Sequence, residues 1–386
     1  MKNVKTILLP GLLITFACAC GADPADISDT PEAYGVFSPR DVAVMLASLP
    51  IGEGQLQEVY DAVNSSSSNG YDEEYMMADL LSTPGAGVGD SPQTKASRGG
   101  YEQPLKDLIA DYFASNSSAL TKSAADVEYY LKELSESGMQ IYWPYSEDWD
   151  GEEMPLVTYD PGYGAQSNFA YEIALSEDGY RVVDSVYVDE NVAASRPVWV
   201  INSNSDSGFT PMQMIRTRAG VDESDASERD TKSLYMKSFT AKKQFDSWFA
   251  GGSEFWIKCG ALEGFRASSE KELKQYSPSV TDLMIVVKRR DVGKKLEYNT
   301  ILISDYSEQM EKAVFLITES DGGTRDSWKC SGEVKIKSKT YGFSVEFPLY
   351  SNDDIVWRGQ LCYKDVIASS GKETPFGDVS ITFSVE

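Results

Sequence analysis

At Met139 the spacing of the apolar residues changes, and the change divides the chain into two kinds of structure. Before it, apolar side chains recur every three to four residues. Val42, Val44, Met45, Leu46 and Leu49 form one series, Leu56, Val59, Tyr60 and Val63 a second, Tyr75, Met76, Leu80 and Leu81 a third, and Leu105, Leu108, Ile109, Tyr112 and Phe113 a fourth. That period lines one face of a helix. Ser38-Pro39-Arg40-Asp41 opens the first helix with an N-cap, a proline at the first helical position and an acid two residues later. Ser123 and Asp126 repeat the capping pattern before "VEYYLKELSESG", which stops at Gly138. After Met139 the period is two. "MQIYWPY", "RVVDSVYV", "RPVWVI", "LMIVVKR", "NTILIS", "AVFLIT", "EVKIKS", "YGFSVEF" and "DVSITFSV" are β-branched or aromatic runs separated by turn residues. A short helix at "KKQFDSWF" is the one exception. Helices and strands do not alternate as a parallel sheet requires, so antiparallel sandwiches follow. The fold class read from the sequence is α+β, mainly β, with an N-terminal helical region followed by antiparallel β-sandwich domains.

The extreme N-terminus carries a different signal. Lys2 and Lys5 precede an apolar run from Ile7 to Ala19, and Ala17-Cys18-Ala19 offers small residues for cleavage. These are the parts of a secretory signal peptide. A spanning helix needs about 20 apolar residues, and Asp23 and Asp26 close this run too early. Residues 1–19 are thus read as a signal peptide, with Cys20 first in the mature chain, and 20–37 as a tether. The helical region covers 38–138 and contains a flexible loop at 82–100, "STPGAGVGDSPQTKASRGG". A β domain at 139–219, a polar linker at 220–233, "GVDESDASERDTKS", and a C-terminal β-sandwich at 234–386 complete the order.

Charge and missing residue types narrow the function. The formal net charge is −25, which repels phosphate backbones and makes nucleic acid an unsuitable partner. There are no histidines, so a Ser-His-Asp triad, a Cys-His pair and a His-ligated zinc are all excluded. An enzyme built on this chain would rely on carboxylates, Lys, Tyr or a metal. Cys259, Cys330 and Cys362 are widely spaced and form no CxxC. Three separate buried thiols account for them more simply than one disulfide with a thiol left over.

The richest local cluster is "IYWPYSEDWDGEEMP", residues 141–155, with two Trp, two Tyr and five carboxylates around a turn. The plain reading is a hairpin tip, with solvated acids above packed aromatics. Two sharper readings compete with it. Ser146, Asp148, Asp150 and Gly151 fall on positions 1, 3, 5 and 6 of a calcium loop, although position 1 is Ser and position 12 is Val157. Calcium is the only cofactor the sequence raises. Alternatively Trp149, with Trp143 beside it, presents a flat ring to a sugar while the acids accept its hydroxyls. Trp149, flanked by Asp148 and Asp150, is the tryptophan expected to be exposed. Asn202, Asn204 and Asp206 alternate oxygens in a similar way and are read as an Asx-rich turn; Asp353 and Asp354, between strands, resemble the calcium loop of a C2-type sandwich but are read as paired acids in a β-turn.

The stretch "ITFACACGADPADISD" resembles a bacterial lipoprotein signal, in which the cysteine after a small residue is lipidated. Ala17 stands where leucine is usual, and Cys18 is a rival acceptor. The relaxed box followed by Asp23, Asp26 and Asp29 resembles lipoproteins of the Bacteroides group. "WPYSEDWDG", "RPVWVINSNSDSGF", "FDSWFAGGSEFWIKCG", "ESDGGTRDSWKCSGEVKIKSKTYGF" and "SNDDIVWRGQL" likewise resemble uncharacterised lipoproteins of that group. The resemblance implies lipid on Cys20, attachment to the outer membrane through that anchor, and a location at the cell surface or in the periplasm. It implies no activity. The expected function is binding or interaction with a glycan or protein partner in nutrient handling, more than catalysis. The alternative is a carboxylate-dependent hydrolase such as a glycosidase, which needs two acids about 5 to 9.5 Å apart across a cleft.

Overall fold

The helical half begins with the capping pattern legible at Ser38. In the computed structural model, which describes residues 36–82, 101–116, 124–175, 181–204, 209–212 and 232–386, α1 spans Pro39–Ser48. The Asp41 N–H donates to Ser38 Oγ at 3.2 Å, and the Ser38 N–H returns a bond to the Asp41 carboxylate at 3.1 Å. Two orphan helix-end donors are thereby satisfied. The signal peptide 1–19, Cys20, Ser123 and Asp206 lie outside the described residues, as do most of the 20–37 tether, the 82–100 loop and the 220–233 linker. Among the described residues no helix is long and apolar enough to cross a membrane.

α2 (Glu53–Ser68) leads into β1 (Glu74–Met76), the single-turn α3 (Met77–Leu80), α4 (Leu105–Asn116) and α5 (Ala124–Ser135). Tyr75 and Met76, expected in a helix, belong to β1. Pairing with the following strand, Tyr75 opposite Ile141, satisfies their backbone instead. The first sheet continues with β2 (Met139–Tyr142), β3 (Leu156–Tyr159), β4 (Ser167–Leu175), β5 (Arg181–Asp189), the short α6 (Glu190–Ala193) and β6 (Val198–Ser203), in the order β1-β2-β6-β3-β4-β5. It is not wholly antiparallel, because β3 and β6 run parallel with Leu156 opposite Val198. Parallel neighbours need a crossover, and the β4–β5 hairpin with α6 supplies it.

Both faces of the central strands are covered, which is why β6 is a nearly continuous buried run. On one face Ile141, Trp143, Val157, Trp199 and Ile201 pack with the helices. On the other, Tyr142, Leu156, Val198 and Val200 pack against Trp248 and Phe249.

The rest of the chain forms two antiparallel sheets. The strands are β7 (Leu234–Ala241), β8 (Ser253–Ala261), β9 (Ser279–Val287), β10 (Leu296–Ile303), β11 (Lys312–Glu319), β12 (Arg325–Ile336), β13 (Lys339–Tyr350), β14 (Asp354–Cys362), β15 (Glu373–Phe376) and β16 (Val379–Val385), with α7 (Glu270–Leu273) and α8 (Tyr363–Ser369) between them. One sheet has the order β10-β7-β16-β15; the other has β13-β12-β11-β8-β9, with β14 also pairing with β11. Phe239 and Phe383 from the first meet Phe255 and Phe315 from the second in one shared core, the sandwich arrangement expected. Cys259 lies in that core as a free thiol; Cys330 and Cys362 are free as well but only half-buried, not buried as expected.

"KKQFDSWF" is not helical. It belongs to the loop between β7 and β8, whose Trp248 and Phe249 are 0% exposed because they are inserted against the first sheet. Trp248 Nε1 donates to the Gln166 carbonyl at 3.0 Å. The Asn202 amide, read as part of an Asx turn, reaches the Phe249 and Ala250 carbonyls at 2.9 and 2.8 Å. Burial of two aromatic rings in another sheet decides the conformation here, and local propensity does not.

Candidate functional site

β2 delivers Trp143 to the rim of the first sheet, and the chain then turns sharply. Tyr145 adopts a left-handed conformation, φ 59°, and Ser146–Asp148 form one 3-10 turn. Glu73, next to β1, braces this turn from below. Its carboxylate accepts the Tyr145 N–H at 3.2 Å and both the N–H and the hydroxyl of Ser146 at 3.0 and 3.1 Å. Burial, then the neighbouring Asp72, pushes the Glu73 carboxyl up to about 7, against the pull of Lys288, Arg290 and Ser146. Glu74 is pushed up to about 8, by burial first and then by Asp72.

The proposed calcium ligands are sent to different partners. Ser146 is 1% exposed and bonds inward to Glu73. Asp148 points outward to Arg290 Nη2 at 3.4 Å, and Glu147 also pairs with Arg290. Asp150 Oδ1 accepts the N–H groups of Glu152 and Glu153 at 2.9 and 3.1 Å, which hold its carboxyl below the usual range. An oxygen cage for calcium needs these atoms to converge, and this turn spreads them apart.

The two tryptophans of the turn are also more covered than a stacking platform requires. Trp143 is 1% exposed, enclosed by Tyr60, Trp149 and Trp199 at centroid distances of 5.9, 5.3 and 5.9 Å. It is a core residue, almost wholly covered. Trp149, expected exposed, is half-buried: it lies 4.9 Å from Tyr60, and its Nε1 donates to the Glu153 carbonyl at 2.9 Å.

What remains of Trp149 lines a cavity of about 280 Å³. One wall is the 143–153 turn, with Trp149, Tyr145, Asp148, Asp150 and Glu153; the other is Ala193–Pro197 at the end of α6. Arg196 crosses between them, pairing with Glu153 at 3.3 Å and Glu172 at 3.6 Å. Tyr145 is held by a hydroxyl bond to Glu190 at 3.1 Å. The volume is near the lower end for small-molecule sites, about 300–1,000 Å³, which suits one small ligand. Aromatic rings, carboxylate acceptors and a guanidinium together suit a polyhydroxylated ligand.

A second surface was not legible in the sequence. Phe169 and Tyr187 face each other across β4 and β5, with rings 5.8 Å apart, and are 60% and 58% exposed; Tyr163 is 95% exposed. Only the alternation in "SNFAYE" hints that Phe169 and the half-buried Tyr171 share a face. Neither a scan against protein-family models nor a search of curated proteins returns a match to this chain.

Proposed function

We propose that the protein is a binding protein of the cell exterior, anchored by lipid on Cys20, that takes a small glycan or related polyol in the cavity beside Trp149. The observation that carries this reading is the cavity itself: a half-buried indole and Tyr145 on one wall, with Asp148, Asp150, Glu153 and Arg196 around it. The parts of the Trp149 and Tyr145 rings that line the cavity offer apolar contact to the C–H face of a sugar ring, and the acids and the guanidinium exchange hydrogen bonds with its hydroxyls. The Glu73 brace and the Glu153–Arg196–Glu172 ion pairs hold these groups in place before a ligand arrives, which lowers the entropy lost on binding. The lipoprotein placement rests on the signal-like N-terminus and its resemblance to Bacteroides-group lipoproteins.

A protein partner is the second reading, favoured by the exposed Phe169, Tyr187 and Tyr163. Exposed aromatics such as the Phe169–Tyr187 pair are a feature of interaction surfaces. The test is a melting-temperature screen of the full-length protein against monosaccharides and short oligosaccharides. A glycan at a hundredfold excess over Kd stabilises by about 2.7 kcal/mol. A screen without any shift removes the glycan reading and leaves the protein partner.

A further inference from the structure

Away from the cavity, Asp246, Glu254 and Glu319 each place an oxygen within 4.8 Å of the other two. They come from three segments: Asp246 from the loop after β7, Glu254 from the start of β8, and Glu319 from the end of β11. β8 and β11 are paired, with Glu319 opposite Phe255, and the Ser320 N–H donates to the Glu254 carbonyl at 3.0 Å. The sheet therefore fixes where two of the three acids stand.

Glu319 is 0% exposed, and neither of its carboxylate oxygens makes a well-formed hydrogen bond, although the Asp246 carboxyl and the Ser253 hydroxyl lie beside it; Asp246 Oδ2 is also buried without a well-formed bond. The neighbouring donors are spent elsewhere. Ser253 has one hydroxyl proton and gives it to Gln244 Oε1 at 2.7 Å. Arg289 places Nε and Nη2 on Glu190, and Nη1 on the backbone carbonyls of Asp246 and Gly251. A buried carboxylate without donors is strongly unfavourable. Burial first, and then Asp246, raises the Glu319 carboxyl far above its ordinary range. A single proton shared between Asp246 and Glu319 would engage one oxygen of each and leave the second Glu319 oxygen without a donor. A cation can take both.

We propose that Asp246, Glu254 and Glu319 bind a divalent cation of the hard, oxygen-seeking class, with calcium the best fit. Each of the three carboxylates brings one oxygen to the site, and calcium tolerates an irregular set of oxygen ligands, whereas magnesium demands a near-ideal octahedron. The set contains no nitrogen or sulfur donor, the ligands that favour zinc and copper. Bound there, the ion ties the end of the C-terminal sheet to the loop that inserts Trp248 and Phe249 into the first sheet. It acts as a staple between the two halves of the molecule and is separate from the cavity at Trp149.

The test compares the full-length protein after EDTA treatment with the same sample titrated with calcium chloride, by calorimetry and thermal unfolding. The expected result is one calcium per chain, a melting temperature several degrees higher, and at least a tenfold loss of affinity in both Glu319→Gln and Asp246→Asn. Glu319→Gln binding calcium as tightly as the wild type overturns the proposal. If a variant does not fold, the wild-type comparison decides alone. No binding heat and identical melting in EDTA and calcium would show that the acids share protons instead.

Discussion

The buried carboxylate of Asp72 accepts the backbone N–H of Gly252 at 2.7 Å, across 180 residues of chain. Its other oxygen accepts the Glu73 N–H at 2.9 Å. The glycine pair makes the approach feasible. Gly251 has φ +123°, and a Cβ there would lie 2.8 Å from Asp72 Oδ2; a Cβ on Gly252 would lie 2.7 Å from the Val287 carbonyl oxygen. Asp72 therefore joins the β1 segment of the first sheet to the entry of β8 in the sandwich.

Asp72→Asn tests that joint. The amide keeps the shape but offers one acceptor where two N–H groups need one each, so a donor faces a donor. The expected loss of stability is about 1–3 kcal/mol, read from the urea midpoint. An unchanged midpoint would mean that the two halves do not depend on this bond.

The acids beside Asp72 set the pH response. Glu73 and Glu74 are raised from the ordinary 4.5 to about 7 and about 8, so between those values the folded state holds protons that the unfolded state has released. Their contribution is fully present below about pH 4.5 and is lost as pH rises through 7 and 8. Each group should lower stability by about 1.4 kcal/mol per pH unit across its window. Glu74→Gln should flatten the slope between pH 5 and 8 in urea unfolding. A wild type that gains stability over that range would contradict the assignment.

Much of the fold was legible because its signals are local. The Ser38–Asp41 box and the change of period at Met139 depend on neighbours a few residues away. What escaped depends on distant partners. Glu74, Tyr75 and Met76 form a strand because β2 lies beside them, and Trp248 and Phe249 refuse a helix because the first sheet takes their rings. The site followed the same division. The 141–155 turn was identifiable from its composition, and it does line the cavity. The direction of each side chain was not readable there: Ser146 turns in to Glu73, Asp148 out to Arg290, and Trp143 into the core. Buried acids such as Glu73 and Glu319 look like surface residues in a sequence, since nothing nearby shows that a tertiary contact will cover them.

The N-terminal reading is tested by metabolic labelling with a clickable palmitate. Wild type should carry the label and Cys20→Ala should not. Label retained in Cys20→Ala and lost in Cys18→Ala would move the acceptor, and label absent from the wild type would remove the anchor.

The cavity at Trp149 is the centre of the functional account, and calorimetric titration of glycans into the wild type, Trp149→Ala and Arg196→Gln tests it most directly. The expected result is saturable binding of at least one glycan by the wild type, weakened tenfold or more, about 1.4 kcal/mol, in each variant with its fold intact by circular dichroism. Glycan binding that survives both substitutions unchanged, or no binding by the wild type to any glycan tried, would contradict the account.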